Sequence, residues 1–374
     1  MAKNVLIFSD GTGQGSSMPA EELTNVCKLW NATKEAAPGR QVAFYDAGLG
    51  AKDASWWRWG HDLVSQATGL GVSQNVKDCY DALIAQYDPG DHVFLFGFSR
   101  GAYTVRSLGG VLSLCGIPTR DASGRNPRTD KAARTALVEE AVEMVYKIYG
   151  DDAKKEQRRA AGAKYRADYR CHAIDGSNPP FPYFIGVWDT VRALGIPGSS
   201  GLILWRHAFH DATLNPLVPY ARQALAIDEN REIFAPELWD ESKETPEAKA
   251  RGRIKQVWFS GVHSDVGGGY PETGLSDLAL AWMIEEVLAV DHPPIVDTTK
   301  LSLKPSHEDM QHNERTGWGR AWVEGTREGA GPDVLHEDFV RNRFGLAQAR
   351  HVDGDRPYRP KALSKHAKYL DFYK

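Results

Sequence analysis

The chain has 374 residues, of which 42% are hydrophobic and 25% are charged, and its formal net charge is -4. This length fits one large domain with insertions or two ordinary domains, and we favour a single domain over residues 1–374. The net charge is small, and no stripe of Lys and Arg runs along the sequence. A nucleic-acid partner is therefore not expected.

The cysteines and the amino terminus indicate the compartment. The cysteines are scattered, without C-x-x-C spacing, and we interpret them as reduced thiols: Cys27, Cys79, Cys115 and Cys171. The apolar run Val5–Phe8 ends too soon for a signal peptide, and no stretch reaches the roughly 18 apolar residues of a membrane span. We expect a cytoplasmic protein, with any export by a route that ignores amino-terminal signals.

Short apolar runs that end in small or acidic residues predict the strands. Continuous rather than alternating runs are typical of strands covered on both faces of a parallel sheet. Helix-like stretches lie between them, including 76–87 and 102–115. The pattern predicts an α/β fold with a mostly parallel central sheet and helices on both faces. The predicted strands are Val5–Phe8, Val42–Tyr45, Val93–Phe96, Phe184–Trp188 and Ile254–Phe259.

Two segments depart from this alternation. Residues 119–182 are rich in Arg, Lys, Asp and Ala, and they predict an inserted helical cap with helices near 130–149 and 152–170. Residues 293–374 are rich in charge, His and Pro, and we expect them to wrap the core in irregular structure.

A nucleophile motif follows the third predicted strand. Gly97-Phe98-Ser99-Arg100-Gly101 has the pattern G-x-S-x-G between a buried strand and a helix start. In that context the serine occupies a strained turn that lifts its hydroxyl above the sheet, while the glycines leave room for strand and helix to approach. The alternative is a glycine-rich turn with an idle serine, or one that binds phosphate. We predict Ser99 to be a nucleophile.

A serine nucleophile requires a base and an acid that orients the base. Asp189 follows one predicted strand, and we expect His263 just past the next one. The order Ser, Asp, His is the one used by α/β-hydrolases. Taken singly, Asp189 could cap a helix and His263 could be a structural hydrogen bonder. We predict Asp189 as the acid rather than Asp10, which precedes Ser99, or Asp265, which lies only two residues from His263.

The oxyanion of an acyl transfer needs backbone N–H donors. The Arg100 N–H at the helix start is one candidate, and the loop after the first strand supplies others around Gly11 and Thr12. Phosphate binding is a rival use of that glycine-rich loop. No cofactor is expected. Asp10 and Asp265 could together hold a divalent cation, but they lack a third ligand, and the alternative is that they orient loops.

Three tryptophans stand close together in Trp56-Trp57-Arg58-Trp59. They predict either a position at the pocket mouth or a membrane-facing surface, with burial under the cap as the alternative. Peripheral contact with a membrane is therefore part of the hypothesis. The oligomeric state is not indicated by the sequence.

These motifs, taken in order, resemble the DUF2235 group. That group consists of α/β-hydrolase-like proteins and includes the Tle1-type phospholipase effectors of type VI secretion. The resemblance spans nearly the whole chain, and it implies that Ser99, Asp189 and His263 form a catalytic triad. It rests on Ser9–Thr12, Thr24–Val26, Asp91–Arg106, Gly186–Val191, Ala224–Glu229, Trp258–Tyr270 and Leu335–Glu337.

The expected function is hydrolysis of a carboxylic ester through an acyl-enzyme. The resemblance implies lipid or phospholipid esters as the substrate, with a soluble esterase on small or polymeric esters as the runner-up. A binding module that keeps the fold without catalysis is the alternative from a different class.

Overall fold

The computed structural model describes residues 2–11, 19–48, 69–173, 178, 180–191, 213–316, 319, 322–327 and 337–374. Within these residues six strands form one sheet in the order β2-β1-β3-β4-β5-β6, and every neighbouring pair is parallel. The strands are β1 Asn4–Ser9, β2 Gln41–Asp46, β3 His92–Phe98, β4 Phe184–Trp188, β5 Tyr220–Ala226 and β6 Ile254–Phe259.

Helices connect these strands and cover both faces of the sheet. A π-helical segment, Glu140–Tyr146, continues one of them, and short 3-10 turns occupy Ala20–Glu22, Pro127–Thr129, Glu232–Phe234, Glu241–Lys243, Thr298–Lys300, Lys361–Leu363 and Ala367–Tyr373. The α-helices are α1 Asn25–Thr33, α2 Gly69–Gln86, α3 Arg100–Cys115, α4 Lys131–Glu139, α5 Asp152–Asp168, α6 Pro246–Ala250, α7 His263–Gly267, α8 Gly274–Leu288 and α9 Glu337–Gly345.

The strands are apolar on both sides because each face of the sheet has its own core. Val5 and Ile7 of β1 pack with α2 and α3, whereas Leu6 and Phe8 pack with α1 and α8. Successive strand residues point to opposite faces, so a continuous apolar run serves two cores at once. The predicted α/β-hydrolase-like fold class, with a parallel sheet and helices on both faces, is confirmed.

Strand β5 is absent from the predicted set. Its centre carries Arg222 and Gln223, which are both buried. The Arg222 guanidinium is paired with Glu286, and the Gln223 amide bonds to Gln256. Polar side chains that find partners inside the core remove the apolar signal from the sequence. His263 therefore follows the second strand after Asp189, not the next one.

The described helices of the segment 119–182 pack on the core of the sheet. Val138, Val142 and Tyr165 are buried in the same core as the sheet residues Val5 and Leu95. Its contacts with α3 include Arg166, which donates to the Leu114 carbonyl, some 15 residues beyond Ser99. The described helices of this segment thus belong to the helical layer on one face of the sheet.

Residues 293–374 are largely irregular where they are described, apart from helix α9 and short turns. They also contribute a third core around Trp258, in which Phe344, Tyr358 and Tyr369 are buried. The carboxy-terminal segment is therefore an integral part of the fold. Among the residues described, no helix is long and apolar enough to cross a membrane.

Candidate active site

Ser99 lies in the sharp turn between β3 and α3. Its backbone has φ 58° and ψ -122°, in the left-handed region that L-residues seldom adopt. A Cβ on Gly97 would lie 2.5 Å from the Gly101 carbonyl oxygen, and one on Gly101 would lie 2.0 Å from the Ser9 carbonyl oxygen. The two glycines are required because the three backbones touch there.

Asp189 follows β4 at the same edge of the sheet. Its backbone is also left-handed, with φ 39°. The Ser99 N–H donates to the carbonyl of Trp188 at 3.1 Å, which ties the serine turn to the residue before Asp189. The carboxylate is buried, and Oδ2 lies 2.5 Å from Nδ1 of His263 at the start of α7.

The contact between Asp189 and His263 fixes the state of the imidazole. An ionised carboxylate can only accept, so Nδ1 carries a proton, and the neutral tautomer of the ring has its lone pair on Nε2. The ring packs against Phe98 and Phe234, with centroid distances of 4.6 and 5.1 Å. Nε2 is buried and has no hydrogen-bond partner among the described residues. It is the nitrogen available to a nucleophile.

The structure brings Asp189 and His263 together by a hydrogen bond, and Ser99 adjoins them through the backbone of Trp188 and through its neighbour Phe98. Within the described part of the chain, the Ser99 hydroxyl makes no hydrogen bond to Nε2. Catalytic hydrogen bonds of unliganded enzymes are often long and tighten on substrate binding.

Arg327 is the site residue that the sequence did not indicate. Its Nη1 donates to Oδ1 of Asp189 at 3.0 Å and its Nη2 to Oδ2 at 2.8 Å, and both side chains are buried. Burial alone would raise the pKa of Asp189. The Arg327 charge and the hydrogen bonds from His263 and Arg327 outweigh burial and lower that pKa to about 2. The acid is therefore ionised throughout the physiological range.

A second buried ion pair supports the histidine. Glu229 accepts the His263 backbone N–H at 3.2 Å. Its carboxylate is also held by Arg231 through Nε at 2.7 Å and Nη2 at 2.8 Å. The histidine backbone and side chain are thus each fixed by a carboxylate that an arginine neutralises.

The predicted oxyanion donors have different surroundings. A Cβ on Gly11 would lie 3.6 Å from that of Ser99, so Gly11 is beside the nucleophile. Its N–H, however, already donates to Oδ1 of Asp10 at 2.7 Å and is not free in this arrangement. Thr12 lies outside the described residues, as does the Trp56-Trp57-Arg58-Trp59 cluster. Arg100 begins α3, where its backbone N–H faces the turn.

Asp10 and Asp265 each have three donors. The hydroxyls of Thr24 and Tyr45 donate to Asp10 at 2.6 Å, and burial raises the pKa of Asp10 to about 6 despite these bonds and that of Gly11. Asp265 accepts the backbone N–H groups of Val262 and His312 at 3.0 Å, and lies 2.7 Å from Nδ1 of His312. Both carboxylates orient loops.

The surroundings of the Asp10 and Asp265 carboxylates do not fit a cation site. The carboxylate oxygens of Asp10 and Asp265 accept N–H and O–H donors, which a metal ion would have to displace. Among the described residues, no group of three or more His, Cys, Asp or Glu side chains converges as metal ligands would.

Residues 3–286 match the family model described as type VI secretion system phospholipase effector Tle1-like, catalytic domain. The chain belongs to this Tle1-like family. The description of the family names phospholipase effectors. The match ends before Arg327, which lies in the carboxy-terminal segment.

Two similar proteins match this chain over only part of their own length. An uncharacterized protein of Saccharomyces cerevisiae is 22% identical over 248 residues, which are 62% of this chain and 32% of that protein. The crystal structure of an uncharacterized protein from Pseudomonas aeruginosa is 16% identical, with TM-score 0.43. The match covers 82% of this chain and 49% of the Pseudomonas chain. The chain thus spans half or less of these relatives.

Two further solved structures are similar to this chain. The Tle1 effector bound to the VgrG spike of the type 6 secretion system is 16% identical with TM-score 0.37, covering 73% of this chain and 53% of that one. Thermogutta terrifontis esterase 2 is 13% identical with TM-score 0.35, covering 78% of this chain and 84% of that one.

Proposed function

We propose that the chain hydrolyses carboxylic esters of lipids, with phospholipids as the leading substrate class, through an acyl-enzyme formed on Ser99. The observation that carries the proposal is the buried 2.5 Å contact between Asp189 and His263, at the edge of the sheet where Ser99 occupies its left-handed turn. The family to which the chain belongs supports the choice of a lipid ester.

In this mechanism Oγ of Ser99 attacks the ester carbonyl while Nε2 of His263 takes its proton. The backbone N–H of Arg100 stabilises the oxyanion of the tetrahedral intermediate. His263 then protonates the leaving alcohol, which departs and leaves the acyl group on Ser99. Water, deprotonated by His263, attacks the acyl carbonyl, the bond to Oγ of Ser99 breaks, and His263 returns the proton to Oγ as the fatty acid leaves.

Asp189 stabilises the imidazolium that forms during each proton transfer, and it keeps the tautomer that faces Ser99. Arg327 acts through Asp189, so it is a positioning residue in this proposal. Because the guanidinium holds both carboxylate oxygens, the carboxylate cannot rotate away from His263.

The experiment is labelling and turnover with a matched serine control. Wild-type protein is treated with a fluorophosphonate probe, and the labelled peptide is identified by mass spectrometry. Turnover is measured on phosphatidylcholine vesicles and on soluble nitrophenyl esters of short and long acyl chains. We expect the label on Ser99, and we expect Ser99→Ala to abolish both labelling and turnover without changing the melting profile.

Ser113→Ala is the control, because Ser113 lies on the same helix α3 and its hydroxyl bonds to the Gly109 carbonyl. That variant should keep full activity. Residual activity of Ser99→Ala within about tenfold of wild type would remove Ser99 from the mechanism. Hydrolysis of soluble esters without hydrolysis of vesicle phosphatidylcholine would indicate that the substrate is a small ester and not a lipid.

A further inference from the structure

A cavity of about 280 Å³ lies behind the catalytic acid, on the side of Arg327. The loop after β5 forms one wall, and the carboxy-terminal segment forms the others. Its described lining includes Arg327 but neither Ser99 nor His263. The cavity is therefore separate from the position of the nucleophile, and it touches the site through two side chains, Arg327 and Glu229.

Four unsatisfied polar atoms belong to residues that line this cavity. They are Nε of Arg327, Nε2 of His351, Oε1 of Gln311 and Oδ1 of Asn230, and each is buried without a hydrogen-bond partner in the described residues. The parent side chains of the first three are only 4%, 7% and 7% exposed. Native proteins rarely leave buried polar atoms unpaired, so a cluster of them around one cavity points to a bound polar group.

The charges at the cavity favour an anion. Arg356, Arg359 and Lys361 line it in addition to Arg327. Arg359 donates to carbonyl oxygens and stacks over Phe344 rather than facing a carboxylate.

The positive field also acts on His351. Burial, reinforced by the charges of Arg356 and Arg343, lowers the pKa of His351 to about 4. At neutral pH the imidazole is therefore neutral. Its ring can then present Nε2–H to an anion.

The carboxylates of the cavity already have partners. Glu229 is held by Arg231, and Glu324 by Arg315 and Lys361. Asp228 accepts the Gly261 N–H and the Tyr358 hydroxyl, and burial raises its pKa to about 6. Glu229 and Glu324 are thus paired with cations and Asp228 with neutral donors, whereas Arg359 pairs with no carboxylate among the described residues.

We propose that this cavity binds a small molecule that bears a phosphate group, either inorganic phosphate or a small phosphate monoester. Nε of Arg327 and Nε2 of His351 donate to its oxygens. The Gln311 amide donates as well after a half-turn that exchanges its O and N atoms, which are interchangeable in shape. The organic part of a monoester would contact Ile227 and Pro357.

The volume limits the size of this ligand. Small-molecule sites commonly measure about 300–1,000 Å³, and this cavity of about 280 Å³ lies just below that range. A phosphate or a short monoester fits, whereas the acyl chains of a lipid do not. The proposal therefore commits to a soluble ligand, and it goes beyond the ester hydrolysis proposed above.

Arg327 gives the ligand a direct connection to the triad. Its terminal nitrogens hold Asp189, while its Nε is buried without a hydrogen-bond partner among the described residues and the side chain lines the cavity. Binding of an anion at Nε would stabilise the folded protein, and this stabilisation grows with the logarithm of the ligand concentration once the site is saturated.

The test measures binding of inorganic phosphate to the Ser99→Ala protein by calorimetry in a chloride buffer. Hydrolysis plays no part in this measurement, so its outcome is independent of the mechanism proposed for Ser99. We expect saturable binding at one site and a rise in Tm with phosphate concentration. Absence of saturable binding up to about 10 mM phosphate would overturn the proposal.

Two arginines of similar exposure provide a matched pair of variants. Arg356 lines the cavity, is 48% exposed and pairs with Asp353, whereas Arg350 is 53% exposed, pairs with Asp309 and is not in the described lining. Arg356→Gln should weaken phosphate binding about three- to tenfold, and Arg350→Gln should not change it. Equal losses in both variants would show a nonspecific charge effect and refute the site.

A second variant and a measurement of vesicle binding complete the experiment. His351→Phe, which removes the buried Nε2, should weaken phosphate binding at least about tenfold. Sedimentation with phosphatidylcholine vesicles that contain phosphatidate tests whether a lipid headgroup is the ligand instead. We expect vesicle binding to be the same with and without His351→Phe. Vesicle binding that depends on His351, without binding of free phosphate, would overturn the assignment of a soluble ligand.

Discussion

The pairing of Arg327 with Asp189 leads to a prediction about acid stability and turnover. The pair is fully buried, with side-chain exposures of 3% and 0% and two bonds of 3.0 and 2.8 Å. Removing one partner of a buried ion pair costs about 3–5 kcal/mol, because the other charge stays behind without compensation. Arg327→Gln should lower the free energy of unfolding by an amount in that range.

The pH dependence follows from the carboxyl group. The folded-state pKa of Asp189, about 2, lies below its ordinary value of 3.8, so its contribution to stability is present above pH 4 and is lost as pH falls toward 2. Without Arg327 the pKa of Asp189 rises, and the loss begins at higher pH. In Arg327→Gln, the acid limbs of both the unfolding profile and the kcat/KM profile should shift to higher pH.

The expected loss of turnover at neutral pH is about 10- to 100-fold, since the carboxylate keeps His263 and the Ala226 N–H as donors but loses its rigid orientation. Arg327→Lys restores the charge without the two parallel bonds, and it should recover part of the acid limb. The assays are denaturant unfolding and ester turnover from pH 4 to pH 8.

Arg343→Gln is the matched control. Arg343 is as buried as Arg327, but its described donors go to the carbonyls of His307, Asp309 and Arg350. This control should lose stability without a shift of the acid limb in kcat/KM. If Arg327→Gln and Arg343→Gln give the same pH profile, Arg327 has a structural role alone and the reasoning fails.

Three other predictions follow from the site. Asp189→Asn should leave a folded protein whose turnover falls by about 10³- to 10⁴-fold, as measured by steady-state kinetics. Asp265→Asn should mainly lower Tm, because it weakens bonds to His312 and Val262; an equal catalytic loss with an unchanged melting profile would reverse the two roles. Gly101→Ala should fail to fold or lose several kcal/mol in denaturant unfolding, because its Cβ would lie 2.0 Å from a backbone oxygen; a stable, active variant would refute the close approach.

The local motifs of the site could be predicted because they depend on neighbouring residues. Ser99 lies in a pattern whose glycines are required by backbone contact within a few residues. Asp189 and His263 were found because parallel strands bring their carboxyl ends to one edge. The 2.5 Å contact between them agrees with the order of the motifs, while their catalytic roles stay predictions.

The remaining features depend on contacts that a sequence does not display. Strand β5 was missed since Arg222 and Gln223 are polar residues paired inside the core. Arg327 was missed because it lies in a segment without apolar periodicity, and only the folded chain brings it to Asp189. The packing partners of the predicted cap could not be read from the sequence, because an amphipathic helix shows that one face is buried, but not against which partner.

The separation between Asp189 and Arg327 along the chain has a consequence for biosynthesis. The two residues are 138 positions apart. At ordinary translation rates of about 5–20 residues per second, roughly 7 to 28 s pass after Asp189 is made before its arginine exists. During that interval the carboxylate lacks its counter-charge, and the nascent chain cannot complete the arrangement around His263. Maturation of the site is therefore timed by the synthesis of the segment that carries Arg327.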